Sequence, residues 1–249
     1  MARFIHAHAS GLWDAPTRDW DDLTSHLSGL ASVAAFTETT RYKPTGNRKG
    51  WEAYHGERQS GANECTILWD TAEWTRLPGA PSGFSRPVSR TKYALGNGKI
   101  RPDVHVTVQL LVHWPGQVFG FAVFHGPSAI EGKRSLIDGV RRTKAMLETL
   151  AGWRKIKREL RRKYPGILFV LSADWNLNLK LAWVRAFLAA NVGMRSAWRR
   201  MPERGSHGHR LIDGVRHSRR LRTRGSRLLT RRPRFDHTPV TTEFEYKEK

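Results

Sequence analysis

Three carboxylates of this chain stand at the ends of apolar, strand-like segments. Glu38 follows the segment 32–36, Asp174 follows 167–173, and Asp236 precedes 240–246. Carboxylate oxygens at strand ends are the ligands that Mg²⁺ prefers, and they suit metal-assisted chemistry on phosphate. In a chain of net charge +21, they predict a metal centre that faces a polyanion.

Four more polar side chains are tied to strand-like segments in the same way: His125, Asn176, Asp213 and His237. Asn176 lies two residues after Asp174, so in extended geometry both side chains point to one side. Asp213 interrupts the apolar segment 211–215, and a buried carboxylate needs a partner such as a histidine or an arginine. Each pattern also fits an ordinary role: a helix cap, a turn or a structural histidine.

The positive charge is concentrated in two blocks. Residues 133–163 hold twelve Lys or Arg against three acids, and residues 195–234 hold fourteen Arg and no Lys against two acids, so the rest of the chain is neutral. Arginine binds phosphate in a bidentate geometry that lysine lacks. Both blocks also fit a solvated charged face. Because Asp213 lies inside the second block, Arg210 and Arg216 are candidate substrate-binding residues.

The single cysteine, Cys65, excludes a disulfide framework and a cysteine-based zinc site. The N-terminal sequence lacks the apolar segment of a secretory signal, and no apolar run approaches the ~20 residues that cross a membrane. We therefore expect a soluble, intracellular (cytoplasmic) protein. We also expect a single domain over residues 1–249, with an Arg-rich segment at 195–234, because the candidate site residues extend across almost the whole chain.

Hydrophobic periodicity predicts many strands and few helices. Strands are predicted at 3–9, 32–36, 64–69, 104–114, 118–124, 167–173, 211–215 and 240–246, and helices at 20–30, 135–164 and 179–190. Segments 41–63 and 76–101 are rich in Gly, Pro, Ser and Asn, which predicts long surface loops. This pattern predicts an α/β sandwich of two packed sheets with helices outside.

The order of these motifs resembles that of the endonuclease/exonuclease/phosphatase superfamily, the group of deoxyribonuclease I and exonuclease III. Phe36-Thr-Glu38 resembles the family's first metal-binding glutamate, and Phe124-His125 its strand-ending histidine. Three longer motifs resemble its Gly-Asp-x-Asn signature, its Ile-Asp strand and its terminal Ser-Asp-His-x-Pro-Val: Leu171-Ser-Ala-Asp174-Trp-Asn176, Leu211-Ile-Asp213 and Phe235-Asp236-His237-Thr-Pro-Val. The similarity extends from Phe4 to Tyr246.

The chain also departs from the family pattern. His8 stands where relatives carry an asparagine on the first strand, as a possible hydrogen-bond donor or ligand, and Glu64 is a candidate for a second family glutamate. Ala173 and Phe235 replace the usual Gly and Ser. His6 and His8 lie on one face of the first strand, which fits either a transition-metal pair or a structural pair.

The resemblance implies a four-layer α/β sandwich of two mostly antiparallel sheets, with the active site at one end. It implies that Glu38 and Asp236 hold Mg²⁺ or Mn²⁺, with Asn176 near the phosphate. Asp174 is then expected to orient or deprotonate the attacking water.

The resemblance gives the histidines charge-stabilising roles. His237, paired with Asp213, is expected to face a phosphate oxygen. His125 is expected to stabilise the added charge or to protonate the leaving oxygen.

Charge then favours DNA as the substrate of an endonuclease or exonuclease with little base specificity, since each neutralised phosphate adds salt-dependent affinity. Trp51, Trp175 and Trp198 are either base-stacking or core aromatics.

One alternative to a nuclease is a phosphomonoesterase or lipid phosphodiesterase whose basic blocks bind an anionic membrane surface. The other is a non-catalytic nucleic-acid-binding relative, and His8 is the one feature that favours it.

Overall fold

The structure is a computed structural model. It describes residues 1–10, 17–39, 49–56, 65–81, 83–94, 100–101, 103–114, 116–128, 136–230 and 235–247. Glu64 lies outside these ranges, as do residues 231–234 of the second basic block.

The described part of the chain forms three helices and fifteen strands. The helices are α1 (Thr17–Ser28), α2 (Leu136–Lys163) and α3 (Ala182–Val192). The strands are β1 (Ala2–Ser10), β2 (Val33–Thr37), β3 (Trp51–His55), β4 (Cys65–Asp70), β5 (Trp74–Arg76), β6 (Phe84–Pro87), β7 (Tyr93–Ala94), β8 (Ile100–Arg101), β9 (His105–His113), β10 (Gln117–His125), β11 (Leu168–Asp174), β12 (Arg195–Ser196), β13 (Asp213–His217), β14 (Arg222–Leu228) and β15 (Val240–Tyr246).

Two large sheets contain most of these strands. The first has six strands in the order β14-β15-β1-β2-β4-β3. The second has seven, in the order β12-β13-β11-β10-β9-β5, with β6 also paired to β9. Within these sheets β1–β2 and β10–β11 are parallel, and the other pairings are antiparallel.

Three apolar clusters give four layers. One cluster, around Trp20, packs α1 on the first sheet. A second, which includes Phe4, Trp74 and Phe121, fills the space between the two sheets. The third, which includes Trp153 and Leu188, packs α2 and α3 on the outer face of the second sheet. The predicted four-layer α/β sandwich with helices outside is therefore confirmed.

Periodicity located the buried strands to within one or two residues, but it missed strands in polar segments. The segments 41–63 and 76–101, expected to be loops, contain β3, β6, β7 and β8, and the Arg-rich segment contains β14. These short strands carry half-buried or alternating polar side chains, so they have little apolar signal. β3, β6 and β14 pair with strands of the two large sheets, and β7 and β8 pair with each other, so strand pairing rather than an apolar pattern defines them.

Lys157, which interrupts the apolar stripe of α2, is buried against the end of α3. Its Nζ donates hydrogen bonds to the carbonyls of Val192 (2.7 Å) and Gly193 (3.3 Å). These carbonyls have no partner within their own helix, and a cation there is favourable. None of the helices among the described residues is long and apolar enough to cross a membrane.

Candidate active site

Both sheets bring their polar strand ends to one edge of the sandwich. In the second sheet, His125 lies opposite Asp174 across β10–β11, and Asp174 lies opposite Asp213 across β11–β13. In the first sheet, Ser10 at the end of β1 lies opposite Thr37, directly before Glu38. Register alone therefore aligns three sequence-predicted residues in one row, with a fourth on the facing sheet.

Asp213 is the centre of a buried hydrogen-bond network. His237 Nδ1 lies 2.6 Å from Asp213 Oδ2, and Asp213 Oδ1 accepts from Ser10 Oγ at 2.7 Å and faces His8 Nε2 at 3.2 Å. The Ser206 hydroxyl accepts the backbone N–H of Asp213 at 3.0 Å. Both carboxylate oxygens thus have partners, as a charge buried at 1% exposure requires.

The Asp213–His237 pair is an ion pair held in a buried environment. Burial alone would lower the pKa of His237, but the charge and hydrogen bond of Asp213 raise it to about 10. Burial alone would raise the pKa of Asp213, yet His237 and His8 hold it well below its ordinary value. At neutral pH His237 is therefore a cation whose Nδ1 side is fixed by Asp213.

Asp174 has the opposite electrostatic character. Burial, followed by the neighbouring charge of Asp213, raises the pKa of Asp174 to about 6. His125 Nε2 lies 3.5 Å from Asp174 Oδ2 and 3.6 Å from Glu38 Oε1. Asp174 is a carboxylate at neutral pH, and its raised pKa makes it a stronger base than an exposed aspartate.

The backbone is left-handed at two of these positions. Glu38 and Asn176 have φ of +61° and +52°, and they are the two non-glycine residues with positive φ in the described part of the chain. Asparagine tolerates this conformation, whereas a glutamate there costs about 1–2 kcal/mol. The Asn176 N–H donates to Asp174 Oδ1 at 2.9 Å, and its side chain donates to the Gly126 carbonyl at 3.1 Å.

Gly126 is needed for this close approach. A Cβ on Gly126 would lie 2.9 Å from the carbonyl oxygen of Trp175, so a larger residue would push β10 away from the turn after β11. The helix-cap alternative for Asp174 and Asn176 does not hold, because α3 begins at Ala182 with Leu181 at its N-cap.

Asp236 belongs to a group that sequence reasoning did not anticipate. His207 Nε2 lies 3.4 Å from Asp236 Oδ2, His237 Nε2 lies 3.8 Å from Asp236 Oδ1, and ligand atoms of all three residues lie within 4.8 Å of one another. His207 lies in the segment between β12 and β13, where periodicity gives no signal. Its approach to Asp236 follows from the position of Ser206, whose carbonyl accepts the Thr238 N–H.

The donor set fits a divalent cation. Asp236 Oδ1 is shielded from solvent without a hydrogen-bond partner among the described residues. A second group of potential ligands is Asp174, Asp213 and His237. Neither group contains Glu38, whose carboxylate lies beside His125 instead. Carboxylates and histidines together suit Mg²⁺, Mn²⁺ or a transition metal.

His8 and Arg216 are not placed to touch a substrate. His8 is fully buried behind Asp213, so it supports the carboxylate from inside. Arg216 lies three residues after Asp213, so strand alternation turns it to the opposite, helix-facing side, where it donates to the Met194 carbonyl. Burial lowers its pKa to about 10. Arg210 does lie at the site edge and donates to the Asn176 carbonyl at 3.1 Å.

Burial describes the surroundings of His6 and of the three tryptophans that the sequence singled out. His6 contacts Ser172 at 2.5 Å, and burial, together with the charge of His8, lowers its pKa to about 3. His6 and His8 thus have separate protein partners and are a structural pair. Trp175 and Trp198 lie in the core beneath α2 and α3, and Trp51 is half-buried beside the α1 cluster.

Comparison with known proteins finds solved structures of similar fold but no protein of similar sequence. No protein-family model matches the chain, and no curated protein matches it in sequence. A Bacteroides thetaiotaomicron endonuclease/exonuclease/phosphatase family protein superimposes with a TM-score of 0.72 at 14% identity, over 99% of this chain and 96% of that one. The mannosyl-6-phosphatase of the same organism gives 0.69 at 14% identity, over 97% and 99%. D. rerio TDP2 complexed with single strand DNA product gives 0.64 at 11% identity, over 98% and 100%.

Proposed function

Because the chain has the fold of the endonuclease/exonuclease/phosphatase superfamily, we propose that it is a divalent-metal-dependent phosphodiester hydrolase acting on nucleic acid. DNA is the substrate that we favour, cleaved with little base specificity. The observation that carries the proposal is the row His125, Asp174 and Asp213, extended to His237. It places a basic carboxylate beside a fixed cation at one edge of both sheets.

Each residue then has a defined task in hydrolysis. Asp174 accepts the proton of the attacking water while a bond forms between that water oxygen and phosphorus. His237 presents Nε2–H to a phosphate oxygen and stabilises the added negative charge, because Asp213 holds its Nδ1 side. The bond between phosphorus and the leaving oxygen breaks, and His125 donates a proton to that oxygen. Asn176 orients the phosphate.

Asp236 and His207, whose ligand atoms lie within 4.8 Å of each other, are the residues that would hold the cation. Glu38 lies beside His125 rather than in that group, and we propose it as a further carboxylate ligand from the facing sheet. A bound divalent ion would supply Lewis acidity to the phosphate. His207 adds a nitrogen donor, which favours Mn²⁺ over Mg²⁺ as the better activating ion.

The test is cleavage of supercoiled plasmid with Mg²⁺ or Mn²⁺, and with EDTA. We expect Asp174→Asn to lower the nicking rate about 10³-fold, since a positioned base contributes about 10²–10⁴-fold. The matched control is Asp22→Asn, which removes an exposed carboxylate on α1 and should cleave like the wild type. Cleavage at full rate in EDTA, or by Asp174→Asn, would contradict the proposal.

A phosphomonoesterase is the second candidate, favoured by the fold likeness to a mannosyl-6-phosphatase. It predicts metal-dependent, salt-insensitive release of phosphate from a hexose 6-phosphate, with no plasmid nicking. Salt-sensitive plasmid binding without any hydrolysis would instead indicate a non-catalytic nucleic-acid-binding protein.

A further inference from the structure

Only part of the Arg-rich segment 195–234 lies beside the candidate active site. Arg210 lies at that site, but Arg219 and Arg220 follow β13, whose first residue is Asp213. The adjacent strand β11 runs seven residues to Asp174, and at ~3.3 Å per residue its two ends lie about 20 Å apart. Much of the basic charge therefore lies at the opposite end of the sandwich.

Three surface hollows meet at that opposite end. Arg219 lines all three, Arg195 lines two of them, and Arg220 lines two. The last turn of α2 adds Arg161, and the segment after β12 adds Arg199. We call these five exposed residues the arginine surface: Arg161, Arg195, Arg199, Arg219 and Arg220.

Among the described residues, none of these five arginines forms an ion pair with an acid; Arg222, which lines one of the hollows, does pair with Glu245. Among the described residues that line the three hollows there is no aspartate or glutamate. Elsewhere in the described chain, exposed arginines do find carboxylates, such as Arg76 with Glu52 and Arg86 with Glu159. The helix dipole accounts for a cation at the end of α2, but not for Arg195, Arg219 and Arg220. Clustered like charges destabilise a fold unless an anionic partner binds them.

We propose that the arginine surface is a second nucleic-acid site, which binds the phosphate backbone of a duplex away from the candidate active site. Guanidinium groups bind phosphate oxygens in a bidentate manner. The hollows are lined by no exposed aromatic side chain among the described residues. Base stacking, which single strands use, has no platform there. The exposed large apolar side chains of the described chain also lie outside the three linings, and this disfavours insertion into a membrane.

This inference goes beyond the proposed reaction, because binding at the arginine surface requires no catalysis. It predicts that one protein molecule binds two duplexes, one at each end. If the candidate active site does not bind nucleic acid, the arginine surface still binds one. The number of bound duplexes therefore separates the two proposals.

The experiment titrates a 12-base-pair DNA duplex into the full chain in EDTA and counts bound duplexes by sedimentation. The test variant is Arg195→Gln with Arg219→Gln and Arg220→Gln. The control is Arg18→Gln with Arg90→Gln and Lys92→Gln, which removes the same charge from exposed positions outside the hollows. We expect the test variant to bind one duplex fewer than the wild type and the control.

For the duplex bound at the arginine surface, the logarithm of the binding constant should fall with the logarithm of the salt concentration with a slope of about 3 to 5. Each phosphate contact contributes about 0.9 to this slope. Replacement of the same three arginines by lysine should restore the second duplex with weaker affinity, and this rescue excludes a folding defect. Equal stoichiometry in all variants, or an equal loss in the control, would overturn the proposal. Loss of binding to phosphatidylserine vesicles without loss of a duplex would overturn it in favour of a membrane surface.

Discussion

At the two ends of the second sheet, the pKa of a buried cationic side chain is shifted in opposite directions. At the candidate active site, His237 lies against Asp213, and its pKa is raised to about 10 although burial opposes this. At the other end, Lys157 lies near Arg161 and Arg154, and burial, followed by these like charges, lowers its pKa to about 8. Both side chains are buried. Burial lowers the pKa of both cations; Asp213 overcomes that effect at His237, whereas Arg161 and Arg154 add to it at Lys157.

The candidate active site and the arginine surface also differ in how their charged side chains are partnered. Groups that share hydrogen bonds, such as Asp213 with His237 and His8, hold one another in a fixed geometry, and the opposite charges of Asp213 and His237 stabilise each other. Exposed arginines such as Arg219 and Arg220 have no such partners among the described residues, so their contributions to polyanion binding add independently. The same fold thus supports chemistry at one end and electrostatic attraction at the other.

Replacement of His237 tests the buried ion pair at the candidate active site and should have the largest effect. His237→Gln leaves the buried Asp213 without its cation, and we expect it to lower the free energy of unfolding by about 3 kcal/mol near pH 6. Since the pKa of His237 is raised on folding, this contribution is complete below its unfolded value of 6.5, declines as the pH rises, and is lost above about 10. Asp213 has a lowered pKa, so the contribution is also lost as the pH falls below about 4.

Denaturant unfolding of the wild type and His237→Gln at pH 3, 6, 9 and 11 measures this profile. His209→Gln, an exposed histidine of the same segment, is the control and should match the wild type throughout. A stability difference that stays constant from pH 6 to 11 would show that His237 is not a buried cation.

Lys157→Met tests the buried lysine at the other end of the second sheet. The pH dependence of the unfolding free energy should there have the opposite sign. Because the pKa of Lys157 is lowered on folding, the unfolded chain binds more protons between pH 8 and 10.5. The wild type should therefore gain about 2 kcal/mol relative to Lys157→Met across that range, and nothing below it. Thermal or denaturant unfolding at pH 7, 9 and 10.5 provides the measurement, with the exposed Lys155→Met as control. A difference that shrinks as the pH rises would contradict the lowered pKa.

The smallest effect is expected where exposed arginines share one buried acid. Arg222 and Arg224 lie 3.3 and 3.4 Å from Glu245, which is 3% exposed. Each single change to Gln should cost about 0.5 kcal/mol or less, because the other arginine still neutralises the carboxylate. The double variant leaves Glu245 alone and should cost about 1 kcal/mol more than the sum. Additive unfolding free energies in this double-mutant cycle would show that the two arginines act separately.

The sequence by itself determined where the buried strands lie along the chain and which polar residues stand at their ends. Apolar runs and a periodicity of two located the buried strands, and polar residues such as Glu38, Asp174 and Asp213 marked the strand ends. A carboxylate next to an apolar run needs a charged or hydrogen-bonding partner, so it indicates either a strand end or a paired site. The motif order then supported the fold, and superposition with solved structures confirms it.

The tertiary structure decided which of these residues meet and which basic residues stand apart. The pairing of Asp213 with His8 and His237, the approach of His207 to Asp236, and the burial of Lys157 against α3 join residues far apart in sequence. Strand alternation also placed Arg216 on the face opposite Asp213, and the length of β13 carried Arg219 to the far end. A local pattern fixes which face a side chain occupies. Which strands become neighbours, and at what register, is set by the packing of both sheets together.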